Sequence, residues 1–176
     1  LMDVPLPSVF ARELPGVPVR FLHDSTAFLL GEAWQGAARD MENPAGVMLG
    51  TGFGFTVMQR RRVLVDANGT PAVVLWNAPF RDGTVEDYVS RRALRDAYGP
   101  QAPDVRELAE LARGGDTRAQ AIFRRMGEAL GEVLTRYLPA GTDGVVLGGQ
   151  IARSAELFLP WAQIPASVTV ARHIGS

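Results

Sequence analysis

The stretch Val47–Met58 constrains this chain most. Three apolar residues, Val47-Met48-Leu49, run into Gly50-Thr51-Gly52-Phe53-Gly54, and a second apolar run, Phe55 to Met58, leaves it. Glycines at alternate positions give a strip of backbone without Cβ atoms, which can turn tightly and lets main-chain N–H groups approach an anion closely. Thr51 adds a hydroxyl donor. Because strand-forming residues lie on both sides, the stretch predicts a hairpin between two strands. A Rossmann site or a P-loop would instead lead from a strand into a helix N-terminus, and a P-loop would also need Gly-Lys-Ser/Thr. On these residues alone the hairpin is either a plain turn or a phosphate grip.

Composition narrows the chemistry. With 176 residues, 47% hydrophobic content and a net charge of -1, the chain is expected to be an ordinary globular protein with a sizeable core. No apolar run approaches the roughly 20 residues that span a bilayer, so a cytoplasmic location is the expectation. The absence of cysteine removes disulfides, thiol catalysis and Cys-based zinc sites. His23 and His173 are the only imidazoles, so no protein-bound zinc is expected. All 18 basic residues are Arg, which excludes a catalytic lysine. The triplet Arg60-Arg61-Arg62 falls between two apolar runs and is read as a solvated hairpin turn in preference to a nucleic-acid patch.

Along the chain, Val9–Leu14 predicts a short helix capped by Ser8 and stopped by Pro15-Gly16, and Val17–Leu22 a strand. Residues 26–39 carry Phe28, Leu29, Ala33, Trp34 and Ala37 at helical spacing. Asp24 thus stands at a strand-to-helix junction, where the positive end of the helix favours an ionised carboxylate; a plain N-cap is the competing reading. Val63–Val65 is a third strand, and the apolar run Ala72–Trp76 follows the Asn68-Gly69 turn. Residues 85–98 predict one helix ending at Gly99-Pro100, Asp104 starts another, and Asp116–Tyr137 a long amphipathic one. Residues 144–147 and 168–171 predict strands, with a helix over 151–161 between them. Three hairpin-linked strands followed by βα crossovers make an α/β mixed sheet with helices on both faces, the ribonuclease-H-like (actin-like ATPase) order.

Four motifs on these elements resemble the ROK family (repressors, open reading frames and kinases) of the actin-like sugar-kinase superfamily, mainly its C-terminal domain. His23-Asp24-Ser25-Thr26-Ala27 through Gly31-Glu32 is similar to the family's Asn-Asp-x-Asn-Ala-x-x-x-Gly-Glu segment. Leu49–Gly54 resembles its second phosphate hairpin, Val145–Gly149 its adenosine-side Gly-Gly turn, and Gly83-Thr84-Val85-Glu86 through Ser90 its Gly-Cys-Leu-Glu-x-x-x-Ser. The resemblance implies a hexose kinase, glucokinase-like, in which Asp24 is the general base taking the proton from a sugar hydroxyl that attacks the γ-phosphate of ATP. His23 and Glu86 would contact the sugar, Gly50, Thr51, Gly52 and Gly54 the phosphates, and Gly148 and Gly149 the nucleotide. Mg²⁺ would arrive with ATP. For Glu86 an exposed acid in a helix's first turn, and for Gly148-Gly149 a plain strand-to-helix turn, are the competing readings.

The departures from the family pattern carry equal weight. Its Asn before the catalytic Asp is His23 here, and its Glu-x-Gly-His segment falls at Val73-Val74-Leu75-Trp76. Its first phosphate loop, Asp-x-Gly-Gly-Thr, is absent from the chain, as is the Cys-rich zinc loop. Residues 1–40 are therefore expected to be the last strand and linking helix of an otherwise missing N-terminal domain, and 41–176 the C-terminal domain. A homodimer is the expected assembly, with no membrane partner. The alternative function is a non-catalytic ROK transcriptional regulator or sugar-sensing domain, contacting nucleic acid only through a domain upstream of this chain.

Overall fold

The glycine hairpin lies inside the central sheet of the computed structural model, which describes residues 5–19, 21–67 and 69–172. β1 (Pro44–Leu49) pairs antiparallel with β2 (Phe53–Gln59), Leu49 opposite Phe53, and β2 pairs antiparallel with the two-residue β3 (Arg62–Val63). A separate ribbon, β4 (Pro79–Phe80) with β5 (Gly83–Thr84), stands in the following segment. β6 (Gly144–Gly148) lies parallel to β1, and β7 (Ser167–Val170) parallel to β6. The order β3-β2-β1-β6-β7 is the expected mixed sheet.

Its two faces are covered by different helices. After α1 (Leu6–Glu13) comes α2 (Asp24–Gln35), whose Leu29 and Ala33 pack with Ala38, Met58, Val146 and Ala171 on one face. α3 (Arg91–Tyr98), α4 (Val105–Arg113), α5 (Thr117–Tyr137) and α6 (Ala155–Phe158) belong to the other side. There Phe123, Leu130 and Leu134 of α5 bury Val47, Leu49, Phe55, Val145 and Leu147. Val146 faces α2 while Val145 and Leu147 face α5, the period-2 alternation of a strand. Covering both faces explains why β6 is a continuous apolar run. Phe123 and Phe158 are wholly buried, and each such side chain contributes about 1.5–3 kcal/mol.

α5 begins where expected because the Asp116 carboxylate accepts the Ala119 N–H at 2.7 Å. One feature of α5 is invisible in its apolar stripe. A Cβ at Gly127 would collide with the Phe158 carbonyl, and one at Gly131 would lie 2.8 Å from the Gln163 nitrogen, so this helix face touches neighbouring backbone directly.

Several expectations are corrected. α1 starts at Leu6 after Pro5, with Ser8 inside it and no side-chain cap. Among the described residues 17–22 there is no strand: Val17, Val19, Phe21 and Leu22 are exposed, and a strand exists only where a neighbour completes its hydrogen-bond ladder. Arg20 lies outside the described residues, as do Asn68 and His173. α2 starts at Asp24 and stops at Gln35, earlier than 26–39. The single helix expected over 85–98 is two pieces, a 3-10 turn at Val85–Asp87 boxed by Thr84 and Asp87, then α3 capped by the Ser90 hydroxyl accepting Ala93 N–H at 3.1 Å. Side-chain oxygens that bond nearby backbone compete with helix continuation there. Residues 150–161 form two short 3-10 turns flanking α6 in place of one regular helix.

Arg60 and Arg61 do form a hairpin turn, both at positive φ. Arg61 is more than solvated. Its guanidinium donates to the carbonyls of Arg39 (2.8 Å), Met41 (2.9 Å) and Ala33 (2.9 Å), closing the C-terminal end of α2.

Candidate functional site

The hairpin turn is held from inside and from α3. The Gly50 N–H donates to the Gly52 carbonyl at 3.1 Å, and the Gly50 carbonyl accepts the Arg91 N–H at 2.9 Å. The Gly50 amide is therefore committed within the turn. The N–H groups of Thr51 and Gly52 carry no hydrogen bond among the described residues, and Thr51 is exposed. A Cβ at Gly50 would meet open space. Glu86 reaches the same turn: its Oε2 accepts the Phe53 N–H at 3.1 Å and lies 2.5 Å from where a Cβ on Gly52 would sit.

Glu86 is placed by its own segment. Its N–H donates to the Trp76 carbonyl at 3.0 Å. Asp87 accepts both the Thr84 hydroxyl (2.7 Å) and the Thr84 N–H (2.9 Å), which hold its carboxyl below the ordinary range, and Arg92 pairs with it at 2.6 Å. The Tyr88 hydroxyl donates to Asp82, depressing that carboxyl and raising the phenol. Of the two positions where the family pattern has Glu and His, Val73 is half-buried against the core and Trp76 is 49% exposed.

The first turn of α2 stands over the other glycine of the hairpin. His23 is the extended N-cap, without a side-chain cap bond, and Asp24 is the first helical residue. The Asp24 Oδ1 accepts the Ser25 N–H at 2.7 Å and lies 2.9 Å from His23 Nδ1, which is also 2.9 Å from the Ser25 hydroxyl. Asp24 is 77% exposed, so its outer oxygen faces solvent at the positive end of the helix. Ser25 is buried, its Cβ 3.3 Å from where a Cβ on Gly54 would sit. Gly54 thereby lets α2 dock on the hairpin. Sequence reasoning missed Ser25; the Asp-Ser pair, read as a possible cap, was the available signal.

Gly148 and Gly149 end β6 beside the end of β1. A Cβ at Gly148 would lie 2.5 Å from the Phe28 ring of α2, and at Gly149, φ +85°, it would strike the Leu49 carbonyl. These glycines are required by packing against α2 and β1. All the sequence-predicted positions, His23, Asp24, Gly50 to Gly54, Glu86, Gly148 and Gly149, thus gather at the carboxyl ends of the adjacent parallel strands β1 and β6, the edge where open α/β sheets bind ligands. Among the described residues no three His, Asp or Glu side chains stand close enough to hold a metal ion, and no helix is long and apolar enough to cross a membrane.

This sheet order, with helices on both faces and a glycine hairpin at the carboxyl end of β1, defines an α/β domain built on a mixed five-stranded sheet. Known proteins carry the identification further. The model of the ROK family matches residues 3–74. The glucokinase of Thermotoga maritima is 31% identical over 88% of this chain and 57% of its own length. A ROK family glucokinase from Streptomyces griseus, in complex with glucose and AMPPNP, superposes with a TM-score of 0.74 at 22% identity, over 96% of this chain and 68% of that one. A ROK family transcriptional regulator, a homologue of the E. coli MLC protein, also reaches 0.74, at 19% identity over 94% of this chain and 50% of that one. Residues 3–74 thus match the ROK family model, and along most of its length the chain is similar to the Thermotoga glucokinase. It spans 57% of the Thermotoga glucokinase.

Proposed function

We propose that this chain is one wall of a ROK-type hexose kinase, moving the γ-phosphate of ATP to a sugar hydroxyl. The observation that carries the reading is the docking of α2 on the hairpin, which sets the exposed Asp24 beside a turn with unused backbone donors. Asp24 takes the proton of the acceptor hydroxyl, a role that needs a carboxylate within hydrogen-bond reach of the substrate. His23, bonded to Ser25, orients that carboxylate. Thr51 and Gly52 offer the N–H groups, and Thr51 the hydroxyl, that meet charge on the transferred group.

The fit to ATP rests on the open space over Gly50 and the exposure of Thr51, which leave room for phosphate against bare backbone. When bound, Mg²⁺-ATP supplies the phosphoryl group. Glu86 accepts from a sugar hydroxyl with the oxygen not held by Phe53. The glucokinase similarity supports the same substrate pair. Residues 1–40, in this reading, link the missing half of the cleft to the wall formed by 41–176, on which α2 packs. The exposed Phe10, Phe21 and Trp34 would be covered by that half or by a second copy, and light scattering distinguishes a dimer from a monomer.

The specific observation favouring the second reading, a sugar-sensing regulator, is Val73 and Trp76, which offer no carboxylate or imidazole to a sugar. The deciding experiment measures ADP release by the protein with ATP and a panel of hexoses. Sugar-dependent release supports the kinase. Sugar binding without release supports the sensor.

A further inference from the structure

At the start of α2 one ring nitrogen faces two oxygens: His23 Nδ1 lies 2.9 Å from the Ser25 hydroxyl and 2.9 Å from Asp24 Oδ1. We infer that His23 takes over the proton that Asp24 removes from the acceptor hydroxyl, so that the pair, and not the carboxylate alone, is the base; this rests on the reading of Asp24 as the base of a hexose kinase.

Ser25 sets the resting state of the ring. It is buried, and His23 Nδ1 is the partner of its hydroxyl among the described residues. A buried O–H without an acceptor is costly, so the Ser25 hydroxyl donates to Nδ1 and the ring's own proton lies on Nε2. Nδ1 then turns a lone pair toward the Asp24 carboxylate at hydrogen-bond distance. Two acceptors held so close favour a proton between them. Once it arrives, Nδ1–H donates to Oδ1, and the Ser25 hydroxyl, which accepts as readily as it donates, turns accordingly.

No other charge competes for the ring. The strands beneath α2 carry no titratable side chain in Pro44–Leu49, Phe53–Gln59 or Gly144–Gly148. Glu86, at the hairpin turn, accepts the Phe53 N–H, and Glu32, farther along α2, accepts the Ala37 N–H. Among the described residues Asp24 is the one charged side chain within hydrogen-bond reach of His23.

In the transfer step the acceptor O–H breaks and its proton joins the Asp24 carboxylate, while the oxygen bonds the γ-phosphorus and ADP leaves. The carboxyl O–H then breaks as Nδ1–H forms, which leaves a carboxylate and an imidazolium. Asp24 is 77% exposed, so a half-turn of its carboxyl brings either oxygen to the ring. The half-exposed imidazolium returns the proton to water. An imidazole is ordinarily the stronger base by roughly two pH units, so the proton moves toward His23. An asparagine at this position would orient Asp24 equally well but could take no proton.

Two measurements test the inference on the wild-type protein, His23→Asn and Asp24→Asn, each checked for folding by its thermal transition. The first is nitrogen-15 NMR of the imidazole ring, assigned by its loss in His23→Asn. At about pH 8 the spectrum should show Nε2–H with a bare Nδ1, and below about pH 6 an Nδ1–H signal that is lost in Asp24→Asn. The second is sugar-dependent ADP release. Its kcat/KM should fall in the wild type as acid protonates the imidazole, and in His23→Asn that limb should vanish while the plateau drops about tenfold. Added imidazole should raise the rate of His23→Ala. A proton on Nδ1 at about pH 8, or an unchanged rate and pH profile in His23→Asn, overturns the inference and leaves the kinase reading standing. A bare Nδ1 that gains a proton held by Asp24, in a protein without sugar-dependent ADP release, overturns the kinase reading alone.

Discussion

The Glu86 carboxylate accepts the Phe53 amide at 3.1 Å, and the same Oε2 fills the place where a side chain on Gly52 would begin. The candidate sugar-side acid and the candidate phosphate turn are therefore one mechanical unit, although 33 residues separate the bonded pair. Replacing Glu86 by Ala leaves the amide of the buried Phe53 unpaired, and should cost about 1–3 kcal/mol in urea denaturation. Glu86→Gln keeps an acceptor at that position and should lose less.

Gly52→Ala and Gly149→Ala should differ sharply. At position 52 the new methyl meets the far end of a flexible side chain, which can swing away, so the fold should survive while Glu86 is displaced. At position 149 the methyl meets the Leu49 backbone and the residue sits at φ +85°. Strain and collision there should cost about 2–4 kcal/mol. Thermal unfolding of the two variants measures the contrast. A Gly149→Ala protein as stable as wild type would mean that β6 is not seated against the end of β1 as described.

Asp24→Asn should leave stability nearly unchanged, because the side chain is mostly exposed and an amide oxygen can still accept the Ser25 N–H. If the protein turns over ATP with a sugar, this substitution should lower the rate on the order of a hundredfold to ten-thousandfold, the usual effect of losing a general base. Steady-state ADP release from matched, folded samples reads it directly. Near wild-type turnover would take Asp24 out of the mechanism.

Acid should loosen the fold through Asp143 and Asp87. Asp143 accepts the Asn43 N–H (2.6 Å) and the Glu42 N–H (2.7 Å), tying the start of β1 to the start of β6, and these bonds hold its carboxyl below 3.8. Asp87 is lowered by the Thr84 hydroxyl and amide. A carboxylate whose folded pKa is depressed contributes stability that is complete above its unfolded value. That contribution is lost as the pH falls from 3.8 through the folded value. Melting temperatures recorded from about pH 6 to about pH 2 should fall along that limb, and Asp143→Asn should flatten it. An unchanged acid limb in Asp143→Asn would show that the first residues of β1 and β6 are held together by other contacts.

Much of the frame was legible from residues close in sequence. The glycine spacing between two apolar runs predicts the β1–β2 hairpin, and the Asp116 cap with an apolar stripe predicts α5, because a turn, a cap and a periodic face are each decided within a few residues. The position of Asp24 at a helix start was likewise local. The rest depended on partners far along the chain. Residues 17–22 have a strand's composition, but a ladder needs a neighbouring edge. Residues 85–98 have one helical periodicity, but the Thr84 box and the Ser90 cap divide them. That Gly148 makes room for Phe28, that Gly149 lies on Leu49 and that Glu86 closes onto Phe53 follow only from tertiary packing. Periodicity and capping are short-range energies carried by neighbouring residues, whereas these contacts exist only once helices and strands distant in sequence have been brought within van der Waals reach.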